Sequence, residues 1–286
     1  MAHEAMIAGR NAALTATLDT AGWTAEAPVA LTLNPDGVRA WSTAPGGDDA
    51  PVVLGGVFPV AEVLSFAALF GTNLYQADET ELVLYADADR TVEAWTSGRV
   101  PVLPPMLDTD SLAFEDPRKF DGRLDPDDYL AYPANVLAFP PAIYARGWRW
   151  RIWSAGILPS GATAGHVEVD HLWLGDGLFF DLQLDTDVLD NTGVTTRQDA
   201  GREIVEPGEA QRTATLPLDL IEPGMVDQVV AMVRRSKGLM PLAWLPDRDD
   251  PALSFQYGFL ARATQAGRRW SASSWASTSL TLQEWK

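Results

Sequence analysis

Hydrophobic and polar positions alternate in short runs along most of the chain, and the clearest run is Trp148–Trp153. A side-chain period of two puts Trp148, Trp150 and Ile152 on one face and Arg149, Arg151 and Trp153 on the other. The first face is predicted to be core. After a loop, Val167, Val169, His171 and Trp173 alternate with Glu168, Asp170 and Leu172, the pattern of an antiparallel strand with one covered and one wetter face. Two such strands are expected to close a β-sandwich, with a domain boundary near Leu178.

The same reading places further strands upstream. Residues 1–26 carry a short alternating run, Leu14–Leu18, and read as an N-terminal strand or arm. From Ala27 the runs Val29–Leu33, Val38–Ser42, Val52–Val57, Val63–Phe70, Glu81–Tyr85 and Thr91–Trp95 are separated by Gly, Pro, Asp and Asn, with Asn34-Pro35-Asp36-Gly37 as a turn. Helical patterns are scarce there, so residues 27–178 are expected to form a β-sandwich or jelly roll. Asp116–Asp128 lacks periodicity and reads as a long surface loop.

Past Leu178 the texture changes. Asp181–Gly208 is acidic and broken by Asn191, Gly193 and Gly201, which fits a linker or flexible hairpin. Arg212–Ile221 alternates, with Leu216, Leu218 and Leu220 on one side and Thr215, Pro217 and Asp219 on the other. Pro217 there predicts an edge strand or a bulge. Pro223 opens a helix in which Val226, Val229, Val230 and Val233 repeat at i, i+3, i+4 and i+7 until Gly238. Strands are then predicted over Met240–Leu245, Ser254–Ala263 and Ser277–Trp285. Residues 179–286 are thus expected to form a small α+β domain with one amphipathic helix, and the whole chain to be mainly β.

Composition narrows the chemistry. With no cysteine, a disulfide framework, a thiolate nucleophile and a Cys-ligated zinc site are excluded. Asp and Glu outnumber Lys and Arg by 39 to 21, and a net charge of −18 repels phosphate backbones, so no specific nucleic-acid partner is expected. No apolar window reaches 18 residues, and Met1-Ala2-His3-Glu4 lacks a signal-peptide pattern; a soluble protein without membrane insertion is expected. Eleven tryptophans leave room for an interface, although most are expected in the core.

Candidate sites are few. His3, His166 and His171 are the only imidazoles, and His166 and His171 fall on opposite faces of a continuous strand, which disfavours a shared metal. No nucleophile elbow, phosphate loop or His-Glu-x-x-His motif is present. Asp185–Gly193 has the oxygen density of a calcium loop without EF-hand spacing, and reads as that or as a solvated acidic turn. Asp87 and Asp89 read as a wet strand end. The Trp-Arg alternation at 148–153 offers faces that stack on bases or sugars, against the plainer reading of Trp in the core and Arg over an exposed face.

In order along the chain, Ala40-Trp41-Ser42-Thr43, Phe70-Gly71-Thr72-Asn73-Leu74-Tyr75, Trp148-Arg149-Trp150-Arg151-Ile152, Pro241–Asp247 and Leu280-Thr281-Leu282-Gln283-Glu284 resemble tail proteins of long-tailed bacteriophages and prophages. The chain departs from the family pattern at Gly165-His166 and Asp170-His171-Leu172. The resemblance implies a discoidin-like or galactose-binding-like sandwich over 27–178 and a tail-assembly domain over 179–286. It also implies a non-enzymatic structural component, a distal or minor tail protein near the tail tip, with no cofactor. Its partners would be itself as a ring, a hexamer before a trimer, and the tube, hub and tape-measure proteins; its place would be the virion tail, after assembly in the host cytoplasm. The alternatives are a module binding host-surface glycan through Trp41, Tyr75 and Trp95, or a carbohydrate-active hydrolase using two carboxylates.

Overall fold

The computed structural model describes residues 4–19, 21–23, 40–42, 50–75, 77–103, 106, 110, 113–120, 122, 134–154, 165–181, 187–191, 194–199, 202–207, 211–237, 240–266, 269–270 and 276–285. The protein is mainly β and built of antiparallel sheets. It divides into two compact units, one of residues 10–178 and 247–258, the other of residues 1–9, 179–246 and 259–286. Strands are numbered along the chain from β1 (Glu4–Ala8).

The larger unit holds β2 (Thr17–Asp19), β3 (Ala40–Trp41), β4 (Val52–Leu64), β5 (Phe66–Thr72), β6 (Glu79–Tyr85), β7 (Glu93–Thr96) and β8 (Val100–Pro101). They are followed by β9 (Ala134–Ala138), β10 (Ile143–Trp153), β11 (Glu168–Val169) and β12 (His171–Gly175). One sheet runs β2-β4-β10-β6-β7 with β8 also on β6, and another runs β12-β5-β9. Leu54, Leu64, Leu82, Leu84, Trp148, Trp150 and Ile152 of the first sheet share one hydrophobic core with Leu69, Val136, Leu172 and Leu174 of the second. The tryptophan strand is therefore the middle of its sheet, with Trp148, Trp150 and Ile152 buried and Arg149, Arg151 and Trp153 half-buried on the other face. The two-residue period decides both faces.

Three expectations change in this unit. β10 and the His166–Gly175 segment do not pair: β10 lies between β4 and β6, while β11 pairs with β3 and β12 with β5. The second strand also breaks at Asp170, so that Val169 and Leu172 are both fully buried and Leu172 is not on a wet face. The carboxylate of Asp170 occupies the space where Gly71, at a φ of 62°, would carry a side chain, and the Asp170 amide donates to the Phe70 carbonyl. That contact sets a bend and flips the parity. Finally, the Leu14–Leu18 alternation is part 3₁₀ helix, over Ala12–Thr15, and only then strand. Asn11 caps it by accepting from the Ala13 amide, while its Nδ2 donates to the Leu172 carbonyl.

The smaller unit holds β1, β13 (Leu178–Asp181, whose first residue belongs to the larger unit), β14 (Asp187–Asn191), β15 (Val194–Asp199), β16 (Arg202–Pro207) and β17 (Gln211–Ile221). Then come α1 (Pro223–Ser236), β18 (Leu242–Leu245), β19 (Phe259–Ala266), β20 (Arg269–Trp270) and β21 (Ala276–Glu284). The sheet order is β13-β1-β18-β19-β21-β17-β14, with β20 on β21, and β15 and β16 form a separate hairpin. Along β17, Ala214, Leu216 and Leu218 are buried and Thr215 is exposed, as the alternation requires. Pro217 pairs with Ser279 of β21. The ladder shifts register just after it, between Leu218 and Ile221, the irregularity that a proline in a strand is expected to bring.

α1 begins with Pro223 in its first turn and buries Val226 and Val229. It ends at Ser236, before Gly238, and Lys237 closes it in the left-handed conformation at a φ of 49°. Strand was expected from Ser254, but α2 (Pro251–Tyr257), part of the larger unit, stands there instead. Asp250 caps it by accepting from the Leu253 amide at 2.9 Å, and the Ser254 hydroxyl donates to the Asp247 carbonyl. A capping aspartate followed by proline outweighs the apolar run that suggested a strand. Asp187–Asn191, expected as a calcium loop or acidic turn, is an extended strand paired with β17. Val29–Leu33, the Asn34–Gly37 turn, His3 and most of Asp116–Asp128 lie outside the described residues.

Candidate functional site

The core of the larger unit is not closed at every point. Where β6, β7 and β10 of one sheet meet the end of β9, a half-open hollow of about 220 Å³ remains. Parity explains which side chains reach it. Thr80 and Leu82 lie on the core face of β6 because they are cross-strand to Ile152 and Trp150. Trp95 follows from its pairing with Leu84, and Val100, 39% exposed, from its pairing with Thr80. Leu137, Ala138 and Phe139 supply the wall at the end of β9.

The hollow is apolar with a small number of polar groups. Ser97 is engaged: its hydroxyl donates to the Gly98 carbonyl and accepts from the Leu82 amide. Thr80 is 2% exposed. The Nε1 of Trp150 is buried and unpartnered. Among the described residues the lining carries no charged side chain. Burial of an indole, about 150–250 Å² at about 25 cal/mol/Å², stabilises by about 4–6 kcal/mol, whereas an unpaired N–H costs about 1–3 kcal/mol. Packing therefore keeps Trp150 in place although its donor is unsatisfied.

The opposite face of the same sheet is charged and paired. Arg151 Nη1 donates to Glu81 Oε2 at 2.6 Å, and Arg99 Nε donates to Glu79 Oε2 at 2.5 Å. The Arg99 guanidinium lies 4.5 Å from the Trp153 ring centre, and that of Arg149 lies 5.9 Å from Tyr85. Arg90, at a φ of 59°, crosses Gly147 and Gly55, with Nη2 3.6 Å from Asp19. The β6–β7 turn that places it is organised by Asp87, whose carboxylate accepts from the amides of Val92 and Thr91 and from the Thr91 hydroxyl. The Val92 amide, then that of Thr91, holds the Asp87 carboxyl below its ordinary value. Asp87 thus acts as a turn organiser.

The three aromatics expected at a glycan site are spread over different parts of this unit. Trp41 belongs to β3, opposite Glu168, and its side chain lies outside the described part. Tyr75 follows β5 and packs with Leu103, Met106 and Phe255. Trp95 lines the hollow. Trp148 and Trp150 are core, so the Trp-Arg alternation presents no indole of these two for stacking. His166 Nε2 lies 2.8 Å from Glu168 Oε1, and among the described residues no three His, Asp or Glu side chains converge as a metal site would require.

The expectations from the sequence did not include Thr80, Leu137, Phe139 or the hollow itself. The one local signal was Thr80, a hydroxyl at a core parity position between Ile152 and Val100. No protein-family model and no curated protein matches this chain.

Proposed function

We propose that the protein is a structural component of a long-tailed bacteriophage virion near the distal tail, with the larger unit a galactose-binding-like β-sandwich and the smaller a tail-assembly domain. The observation that carries this reading is the ordered set of motifs that resemble tail proteins, of which Trp148–Ile152 is the strongest. Trp148–Ile152 lies in the sheet-central strand β10 of one unit, and Leu280–Glu284 in β21, paired on both sides, of the other. Motifs made of sheet-central residues describe whole units rather than short local likeness.

Charge is compatible with that place. A net charge of −18 gives an anionic surface, and an anionic wall around a DNA channel does not retain the passing duplex. A closed ring of copies, six in preference to three, would use heterologous contacts. Negative-stain imaging of virions carrying a gold-labelled copy is the test, with label expected at the tail tip; virions whose tails never carry it would sink the reading. Light scattering of the purified chain is expected to give the mass of a ring, and a monomer at every concentration counts against self-assembly.

A further inference from the structure

We propose that Phe114 and Phe120 form an aromatic plug through which this chain docks on a second copy of itself, in the hollow between β6, β7, β9 and β10. The inference rests on the self-association in the tail reading and names the contact that carries it. A hollow alone identifies no occupant; the exposed pair supplies one. Phe114 and Phe120 are 73% and 75% exposed, and their rings meet edge to face with centres 6.1 Å apart. They are the most exposed large apolar side chains among the described residues, and standing side by side they make a patch, unlike the scattered single residues that are normal on a surface.

The loop that displays them is fixed. The Arg118 amide donates to the Asp116 carboxylate at 2.9 Å, and the Arg118 guanidinium donates to it through Nε at 3.0 Å and Nη2 at 2.8 Å. The Asp116 amide donates to the Ala113 carbonyl, that of Lys119 to the Asp116 carbonyl and that of Gly122 to the Arg118 carbonyl. Met106, whose amide donates to the Gly122 carbonyl, packs against Leu103 and Phe255 and so anchors the loop to its own unit. The side-chain bonds from Arg118 hold the Asp116 carboxyl below its ordinary value, at about 2, which keeps this clamp ionised at neutral and mildly acidic pH. An aromatic pair already ordered in the free chain loses little entropy on binding, as an interface anchor requires.

Size and charge match the plug to the hollow. A hydrocarbon cavity of about 150 Å³ takes up benzene, and this one offers about 220 Å³ walled by Leu82, Trp95, Leu137, Phe139 and Trp150. One phenyl ring fits inside, while the second lies across the half-open mouth beside Val100, which is 39% exposed. Among the described residues no charged side chain lines the hollow, so a ring entering it strands no ion. Plug and hollow share no residue although both belong to the larger unit. The contact is therefore heterologous, running head to tail from copy to copy.

The test combines two variants of the full chain in sedimentation velocity. Phe114→Ala/Phe120→Ala removes the plug, and Val100→Trp blocks the mouth of the hollow. Wild type is expected to form larger species as concentration rises. Each variant alone should lose at least about thirtyfold in self-association, the loss of an aromatic hot spot. A 1:1 mixture of the two keeps one intact plug and one intact hollow, so it should form dimers and nothing larger. At dilution the plug-less chain should melt at the wild-type midpoint; a lower midpoint would mean that the rings are covered within their own chain, and overturns the proposal. A mixture that stays monomeric overturns it as well. Variants that self-associate like wild type overturn this contact and leave a ring built through other surfaces. Wild type monomeric at every concentration overturns contact and ring together, and none of these results moves the label expected at the tail tip.

Discussion

The two faces of the sheet around β10 treat polar atoms differently. On the outer face Arg151 pairs with Glu81 at 2.6 Å and Arg99 with Glu79 at 2.5 Å, both distances of formed ion pairs. On the inner face the indole N–H groups of Trp148 and Trp150 have no partner. Water explains the contrast. A half-buried arginine keeps part of its hydration and finds carboxylates cheaply, whereas an indole driven inward for its area must take whatever acceptors the core provides. The inner face is thus held by packing and the outer face by polar contacts, and substitutions on the two should differ sharply in size.

The largest effect is expected from Trp148→Ala, which empties the centre of the inner face. Trp148 is fully buried, and truncation should destabilise by about 3–5 kcal/mol. Chemical denaturation would show it, and a loss below about 1 kcal/mol would mean that packing is not what holds this face. Arg149→Ala, at the neighbouring position on the outer face, should cost less than about 1 kcal/mol. Next in size is Gly56→Ala. A Cβ at Gly56 would lie 2.9 Å from the Thr17 carbonyl oxygen and 3.0 Å from Trp148 Cζ2 and Nε1. Neither the backbone of β2 nor a buried indole can give way freely, so a loss of about 1–3 kcal/mol is expected. An unchanged denaturation midpoint would show that β2 is loosely held.

These inner-face contacts also mark what was legible in the sequence. The parity of Trp148–Trp153, the alternation of β17 and the start of α1 at Pro223 depend on neighbours within a few residues, and the structure agrees with them. The break at Asp170 depends on Gly71, about a hundred residues earlier, and the 3₁₀ turn at Ala12–Thr15 is anchored to Leu172. Such long-range contacts override a local alternation and leave no periodic trace. α2 was legible in principle, because Asp250 and Pro251 are a helix start, yet the apolar residues after them resembled a strand. The hollow was out of reach for a different reason: it is the space left between the end of β9 and strands β6 and β7, which lie 38 residues or more earlier in the chain. Only Thr80, a polar residue at an inward position, hinted at it.

Smaller effects belong to the outer face. A double-mutant cycle on Arg151 and Glu81, whose side chains are 34% and 17% exposed, should return a coupling of about 0.5–1 kcal/mol. A coupling above about 2 kcal/mol would place the pair in a drier setting than its exposure suggests and would erase the contrast between the faces. Added salt should reduce the coupling, and the Trp148→Ala loss should be insensitive to it.

The least costly contact to break is the Asp87 turn that sets Arg90 over Gly147. Its carboxyl is held below the ordinary value of 3.8 by the Val92 and Thr91 amides. A group with a lowered folded value contributes stability that is complete above the unfolded value and is lost as pH falls through the folded one. The turn should therefore stay ordered at pH 4 and loosen only in more acidic solution. The carboxyl carbon of Asp87, followed by NMR, should titrate below 3.8, and the Val92 and Thr91 amides should lose their hydrogen-bonded shifts over the same range. In Asp87→Ala those amides should exchange with solvent faster already at neutral pH, while the Trp148 and Trp150 signals on the inner face stay unchanged. A titration at or above 3.8, or inner-face signals that move with it, would show that the two faces are coupled through the β6–β7 turn instead of being held separately.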